Sequence, residues 1–593
     1  MTNDRRLIED FIPIREISAE SAREKSIRKG HISTLHLWWA RRPLVAARAA
    51  VFASLVAAPE TSQKRTALSQ AMIDLCKWEA GEATINKAKI QILEAQRKRL
   101  NLPADTPLNQ VPPPKVLDMF SGGGAIPLEA LRLGCETYAV ELNPVAHIIE
   151  LCTLVYPQKY GKKLADEVEK WGNWVIEKVR EEIGDLYPSI DIQADNRQGI
   201  NSLPNSESRL KPTDESNLSQ SVSTDLSYEP RNLFLGGIGD DNESVQLDLF
   251  SQTQCKNKNS KSKSLTPVAY LWTRTVKCPN PNCGAAVPLV RQTWLCKKSK
   301  KYVALKVIPN HETKQVEFEV VEATTEKALG FDPAAGSSRG NSTCRHCGTT
   351  VNKDYVKEQG KANNIGQQLM AIVCTTPGEK GKTYLSADKY QNYIPDEVEI
   401  KLRLEKLCVE TGLTIPKEPI FSADTRAFFT HLYGLDNFGK LFTSRQLLSL
   451  MTFVKWVRLA HQEMLQQGYE EELAKAIGTY LGIMCDRLAD RNSTICRWDN
   501  LRDMASNTFS RQALPMVWDF TENNPLGNAS GNANNALDWI LQFIRQEAVE
   551  TGKFGILQRS SATSMPIESE SLDAVITDPP YFDSISYADL SDY

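Results

Sequence analysis

Asp578-Pro579-Pro580-Tyr581 closes an apolar run, Asp573-Ala574-Val575-Ile576-Thr577, and its residue types suit the capture of an exocyclic amine. Alkylating such an amine requires the nitrogen lone pair to be freed from the ring and aimed at an electrophile. The Asp578 carboxylate and the Pro579 carbonyl offer acceptors for the two N–H bonds. Pro579 and Pro580 fix the direction of that carbonyl, and the Tyr581 ring offers a stacking face. An ordinary Pro-Pro loop after a strand is the other reading of these four residues taken alone.

A second stretch carries complementary chemistry. Lys115-Val116-Leu117-Asp118-Met119-Phe120-Ser121-Gly122-Gly123-Gly124 runs from apolar residues to a carboxylate and a glycine turn, and helix formers follow. This pattern predicts strand, tight turn and helix, the opening unit of a nucleotide-binding α/β sheet. Glycines let bare backbone approach a ligand, and the helix start offers free N–H groups. Glu141 ends the next strand, close to the offset of about twenty residues at which an acid meets a ribose. A dinucleotide fingerprint needs a small residue where this chain has Pro127. The Phe120-x-Gly122-x-Gly124 form fits S-adenosylmethionine better, with Asp118, Phe120, Gly122, Gly124 and Glu141 as its contacts. Ser561, in the turn after a predicted strand over Phe554–Gln558, stands where such enzymes often carry an acid that reads the cofactor's adenine.

These residues need elements to bring them together across several hundred positions. The predicted fold is α/β: a Rossmann-like sheet, interrupted after its second helix by one large α+β insertion at roughly 157–550. In a doubly wound sheet the strands leading to Gly122 and Asp578 lie side by side at the switch point. The expected organisation is an N-terminal helical and basic segment (1–110), the first sheet portion with the cofactor motif (111–156) and a helical connection (157–201). A polar insert (202–264) precedes a β-rich portion with a zinc ribbon (265–420), a helical, target-recognising portion (421–550) and the second sheet portion (551–593). Cys278-Pro-Asn-Pro-Asn-Cys283-Gly284 and Cys344-Arg-His-Cys347-Gly348 each hold two thiols on a tight turn. Together the four complete a tetrahedral structural zinc site. His346, inside the second turn, is read as a bystander.

With 593 residues and a net charge of −3, the chain has room for several domains and no overall field that announces a polyanion partner, so nucleic-acid contact must come from local basic patches. The N-terminus lacks a signal-peptide pattern and no stretch is apolar for long enough to span a bilayer, which predicts a cytoplasmic protein with reduced or metal-bound cysteines and no membrane partner. Arg28, Lys29, Arg41 and Arg42 flank Trp38-Trp39, a mixture suited to phosphate contact and stacking. The plainer reading is a helix whose Trp38 packs on the sheet. Trp171 and Trp174 share a helix face and read as core. The polar 202–264 stretch is expected to be disordered. Within it, Gln246, Leu247, Leu249 and Phe250 resemble the short peptide by which bacterial DNA-processing proteins dock on the replication sliding clamp; a latch onto the protein itself is the alternative. The stretch Asn507–Phe520 carries no assignable chemistry.

The motifs resemble those of large bacterial and archaeal adenine-specific DNA methylases that contain a zinc ribbon. The resemblance rests on Gly30–Leu44, the glycine motif, Cys278–Gly284, Leu441–Leu448, Asn507–Phe520 and Asp578–Asp592. It implies S-adenosylmethionine as methyl donor, DNA adenine N6 as acceptor and a class I methyltransferase sheet. Members of that group continue beyond the position of Tyr593, so the sheet is expected to be incomplete, with activity requiring a separate C-terminal half. The alternatives are a catalytically inactive DNA-binding scaffold, or an amino-methyltransferase acting on cytosine N4 or RNA.

Overall fold

The computed structural model describes residues 4–27, 30–192, 263–338, 340–420, 428–509, 512–548, 553–582 and 584–593. Arg28, Lys29, Gln246, Leu247, Leu249 and Phe250 lie outside the described residues, as does nearly all of the polar insert. Helix α1 (Leu44–Leu55) is apolar on every side and correspondingly buried, from Leu44 and Val45 to Phe52 and Leu55. Its first backbone N–H groups, on Leu44 and Val45, donate to the two oxygens of the distant Glu24 carboxylate at 3.0 and 3.1 Å. Because Glu24 also holds His31 Nε2 at 2.9 Å, both ends of the intervening loop are pinned. That loop is a correction to the helical reading: only Ile32–Thr34 makes a short turn of 3-10 helix, and residues 35–43 are irregular. Pro43 lacks a backbone N–H and disfavours helix in the residue before it, which is consistent with the loop ending there.

Strand β1 (Lys115–Asp118), helix α2 (Ala125–Arg132), strand β2 (Glu136–Glu141) and helix α3 (Pro144–Glu150) follow as an alternating unit. Val116 and Leu117 are each 1 % exposed, as expected of a parallel strand covered on both faces. Helix α2 is tied to α1 by an ion pair between Arg48 Nε and Glu129 at 2.6 Å, both side chains buried. A long helix, Tyr156–Ile183, then begins earlier than the amphipathic pattern predicts and breaks its regularity at Gly161. Trp171 is buried within it.

The insertion is built on an antiparallel sheet ordered Thr383–Ser386, Gly366–Thr375, Lys263–Lys277, Asp519–Asn523, with Ala286–Pro288 also pairing to the long Lys263–Lys277 strand. A three-stranded antiparallel meander, Trp294–Lys298, Lys301–Asn310 and Gln315–Ala323, accompanies it. Helices α4 (Ser444–Gln466) and α5 (Glu471–Ala489) pack against each other. Their start follows from sequence chemistry. Thr443 Oγ1 accepts from Gln446 N at 3.1 Å while Gln446 Oε1 accepts from Thr443 N at 2.9 Å, a reciprocal capping box.

The chain returns to the first sheet through β3 (Ile556–Arg559) and β4 (Ala574–Val575), and ends in helix α6 (Tyr587–Ser591). The sheet order is β3-β2-β1-β4, every pair parallel. Strands β1 and β4 are direct neighbours, with Val116 opposite Ala574 and Leu117 opposite Val575. The ladder continues past β4 through Ile576 N to Leu117 O at 2.9 Å. Among the described residues β4 is an edge, and Val575 is half exposed. Met1–Ile190 and Ser264–Tyr593 together form one unit, and 191–263 a second. No helix among the described residues is long and apolar enough to cross a membrane.

Candidate active site and metal centre

The end of β1 and the segment after β4 are joined by a side-chain bond: Thr577 Oγ1 donates to Asp118 Oδ1 at 2.7 Å, and Phe120 N donates to the same oxygen at 3.1 Å. Asp118 is 2 % exposed. Burial, reinforced by Glu141 and Asp578, outweighs these two bonds and pushes its carboxyl up to about 6. A carboxyl raised on folding stabilises the native state most below its unfolded value, and that contribution is lost as pH rises through about 6. The wild-type protein is therefore expected to lose on the order of 2 kcal/mol through this group between about pH 4 and pH 7. Asp118→Asn should remove that component of the slope in thermal unfolding followed against pH; an unchanged slope would contradict the assignment.

Around Asp118 opens a cavity of about 540 Å³, within the range that encloses a small cofactor. Its lining brings together Asp118, Phe120, Gly122, Glu141, Ser561, Asp578, Pro579 and Pro580, together with Arg41 and Arg42. Two residues selected from sequence are not in that lining. Gly124 caps the start of α2, where a Cβ would lie 3.3 Å from Thr153 Oγ1, on the side of Thr153 and Glu150. Tyr581 is half exposed and faces Arg42.

The glycine turn is occupied differently from the sequence expectation. Gly122 has φ +52°, and a Cβ there would come within 2.5 Å of Trp38 Nε1; at Gly123 it would meet Trp38 Cβ at 3.1 Å. In this structure the close neighbour that requires these glycines is the Trp38 indole. Trp38 also stacks on Tyr587 of α6, with centroids 5.7 Å apart, so it forms a wall of the cavity. The Gly122 N–H donates to Glu141 Oε2 at 2.8 Å, and Glu141 Oε1 accepts from Leu142 N and Asn143 N, both at 2.9 Å. Glu141 thus braces the two turns against each other. Asn143 Oδ1 caps α3 through Val145 N and Ala146 N, and its Nδ2 donates to Ser591 Oγ at 2.7 Å, fastening α6 over the site.

Arg42 is the residue whose place sequence reasoning missed. Its guanidinium pairs with Asp578, donates to Tyr581 Oη and lies 4.8 Å from the Tyr581 ring centroid. One cation therefore engages both groups suited to an aromatic amine. Nothing in local spacing signals a contact between residues so far apart in the chain. Glu150 was also invisible. It is fully buried behind the turn, neither carboxyl oxygen has a hydrogen-bond partner, and burial raises its carboxyl well above the ordinary value, which keeps it neutral. Phe582, beside Tyr581, is 98 % exposed.

The four cysteines selected from sequence converge. The Sγ atoms of Cys278, Cys283, Cys344 and Cys347 lie within 4.8 Å of one another, with Cys278–Cys347 at 3.6 Å and Cys283–Cys344 at 3.8 Å. A tetrahedron of thiolates at the zinc–sulfur distance has edges of about 3.8 Å, so the cluster fits a metal such as zinc. Each knuckle turns through a left-handed glycine, Gly284 or Gly348, directly after its second cysteine. Behind the cluster lie Val276, Val287, Val351 and Val356, a small core that depends on these turns. Elemental analysis is expected to find one zinc per chain, and Cys344→Ser to lose it together with the thermal stability of this portion. Four freely reactive thiols in metal-free, equally stable protein would contradict a structural centre.

Residues 11–79 match the family described as "Protein of unknown function (DUF1156)". That segment supplies Trp38, Arg41 and Arg42 to the cavity wall. No curated protein matches the chain, and no solved structure matches it.

Proposed function

We propose that this chain is an S-adenosylmethionine-dependent methyltransferase acting on the exocyclic N6 amino group of adenine in DNA, built on a Rossmann-like class I sheet. The observation that carries the reading is the pairing of β1 with β4, which puts the glycine turn and the Asp-Pro-Pro segment around one cavity. The lining chemistry supports the donor. Asp118, Glu141 and Asp578 converge there, an acidic surround suited to a sulfonium cation. Bound there, S-adenosylmethionine would supply an electrophilic methyl group.

The chain's residues divide the remaining work. Asp118, Phe120 and Gly122 hold the donor from the β1 side, and Ser561 lies in the turn that lines the opposite wall. Glu141 can take up a ribose diol when the Gly122 N–H gives up its bond to the carboxylate. On the acceptor side, a base flipped out of the duplex, at a cost of a few kcal/mol, offers its amine to Asp578 and the Pro579 carbonyl. Arg42 must then withdraw from Asp578 and Tyr581 so that the tyrosine ring can cover the base.

The reading is tested by incubating duplex DNA with the protein and S-adenosylmethionine, then analysing digested nucleosides by mass spectrometry. N6-methyldeoxyadenosine is expected. N4-methyldeoxycytidine, or methylation of RNA alone, would change the acceptor while keeping the chemistry. No methylated nucleoside from protein that binds DNA would favour an inactive scaffold.

A further inference from the structure

We propose that a second cleft, beside the Trp38–Trp39 loop, is an oxyanion site that takes a phosphate or phosphodiester group. The cleft has a volume of about 560 Å³. Trp38 and Arg41 line both this cleft and the first cavity, so the two are back to back. The walls come from residues 33–41, from the last turn of α5 with the loop after it, and from the 530–539 segment.

Three nitrogen atoms among the lining residues are buried without a hydrogen-bond partner: His36 Nε2, Trp39 Nε1 and Arg487 Nε. Trp39 is 5 % exposed and the His36 side chain 10 %. Leaving a buried donor unsatisfied costs about 1–3 kcal/mol, more when it is charged. Three such atoms lining one cleft therefore favour a ligand that presents several acceptor oxygens. The indole and guanidinium nitrogens can only donate. His36 is made a donor by its neighbour. Its Nδ1 lies 2.6 Å from Asp486 Oδ2, which places a proton on Nδ1. Burial opposes charge on the ring, but Asp486, with Asp490 behind it, prevails and raises the imidazole above its ordinary value. In the imidazolium, Nε2 carries a proton into the cleft.

Lys25, Arg41 and Arg491 add positive charge to the lining. The two carboxylates there are already engaged. Asp486 holds His36, and Asp490 accepts from Phe509 N at 3.1 Å and from the Asn507 side-chain amide. An anion entering the cleft meets a net cationic surface whose donors are preorganised, the arrangement that makes charge-assisted phosphate recognition strong. The site stands on its own donors and does not require methyl transfer. If the proposed function holds, the phosphodiester of a DNA strand entering the adjoining cavity is its source; otherwise the source is a free phosphate or phosphomonoester.

The test follows the Trp39 indole N–H by nuclear magnetic resonance in the full chain labelled with [15N]tryptophan, the signal assigned through Trp39→Phe. Inorganic phosphate and a thymidine dinucleotide with one phosphodiester are titrated separately, with chloride as control. A saturable downfield shift is expected. Tighter response to the dinucleotide identifies a nucleic-acid backbone as the source, and tighter response to phosphate identifies a free phosphate. Arg487→Lys, which keeps the charge and loses the Nε–H, should weaken the response about tenfold. A resonance unmoved by both probes, or equal affinity in Arg487→Lys, overturns the site.

Discussion

Asp578→Ala is expected to lower methyl transfer by about a thousandfold or more while leaving S-adenosylmethionine binding within a few fold of wild type. The magnitude follows from what the side chain is asked to do: accept a hydrogen bond from an amine that acquires positive charge as its methyl bond forms, in a site with little water. Asp578 lines the cavity but belongs to the acceptor side, whereas Asp118 and the glycine turn belong to the donor side. Removal of Asp578 also releases Arg42 from its ion pair, so Tyr581 loses part of what orients it. Single-turnover transfer and equilibrium cofactor binding separate the two sides. Transfer within tenfold of wild type would remove Asp578 from the chemistry.

Arg445→Met is expected to destabilise the protein by about 3–5 kcal/mol, through a buried ion pair. Arg445 Nε meets Glu522 Oε1 at 2.6 Å, and the two side chains are 3 % and 1 % exposed. The guanidinium also stands 4.0 Å from the Tyr270 ring centroid. Without Arg445 the Glu522 carboxylate keeps only Trp272 Nε1 at 2.9 Å and Thr443 Oγ1 at 3.3 Å, too little to hold a charge away from water. The double variant Arg445→Met/Glu522→Gln should recover much of the loss, because the stranded charge is gone. Denaturant unfolding that places the single variant within about 1 kcal/mol of wild type would contradict the account.

The Leu441–Leu448 block shows how much the sequence carried and where it stopped. Its apolar spacing announces a helix, and the structure adds that Thr443 and Gln446 cap that helix while Arg445 ties it to the insertion's sheet. The neighbouring of the Gly122 and Asp578 strands was legible because both are apolar runs ending in a carboxylate or a carboxylate turn, and parallel α/β sheets place such ends together. The cysteine knuckles were legible because thiol spacing within a turn is local. Three features were not. Trp38 packs on the glycine turn, Arg42 lies on Asp578 and Glu150 is buried as a neutral acid; each depends on contacts or burial set by the whole fold, for which no periodicity exists. The 31–43 loop was misread as helix because its side chains suit one, whereas the Glu24 carboxylate and Pro43 decide its path.

The most direct test of the central claim is equilibrium dialysis of methyl-labelled S-adenosylmethionine against wild-type protein and against Gly122→Val, which forces a side chain into the space held by Trp38. Circular dichroism and zinc content serve to confirm that the variant is folded. One molecule bound per wild-type chain, and none to the folded variant, is the predicted result. A wild-type chain that binds none, or a variant that binds equally well, contradicts a donor site at this turn.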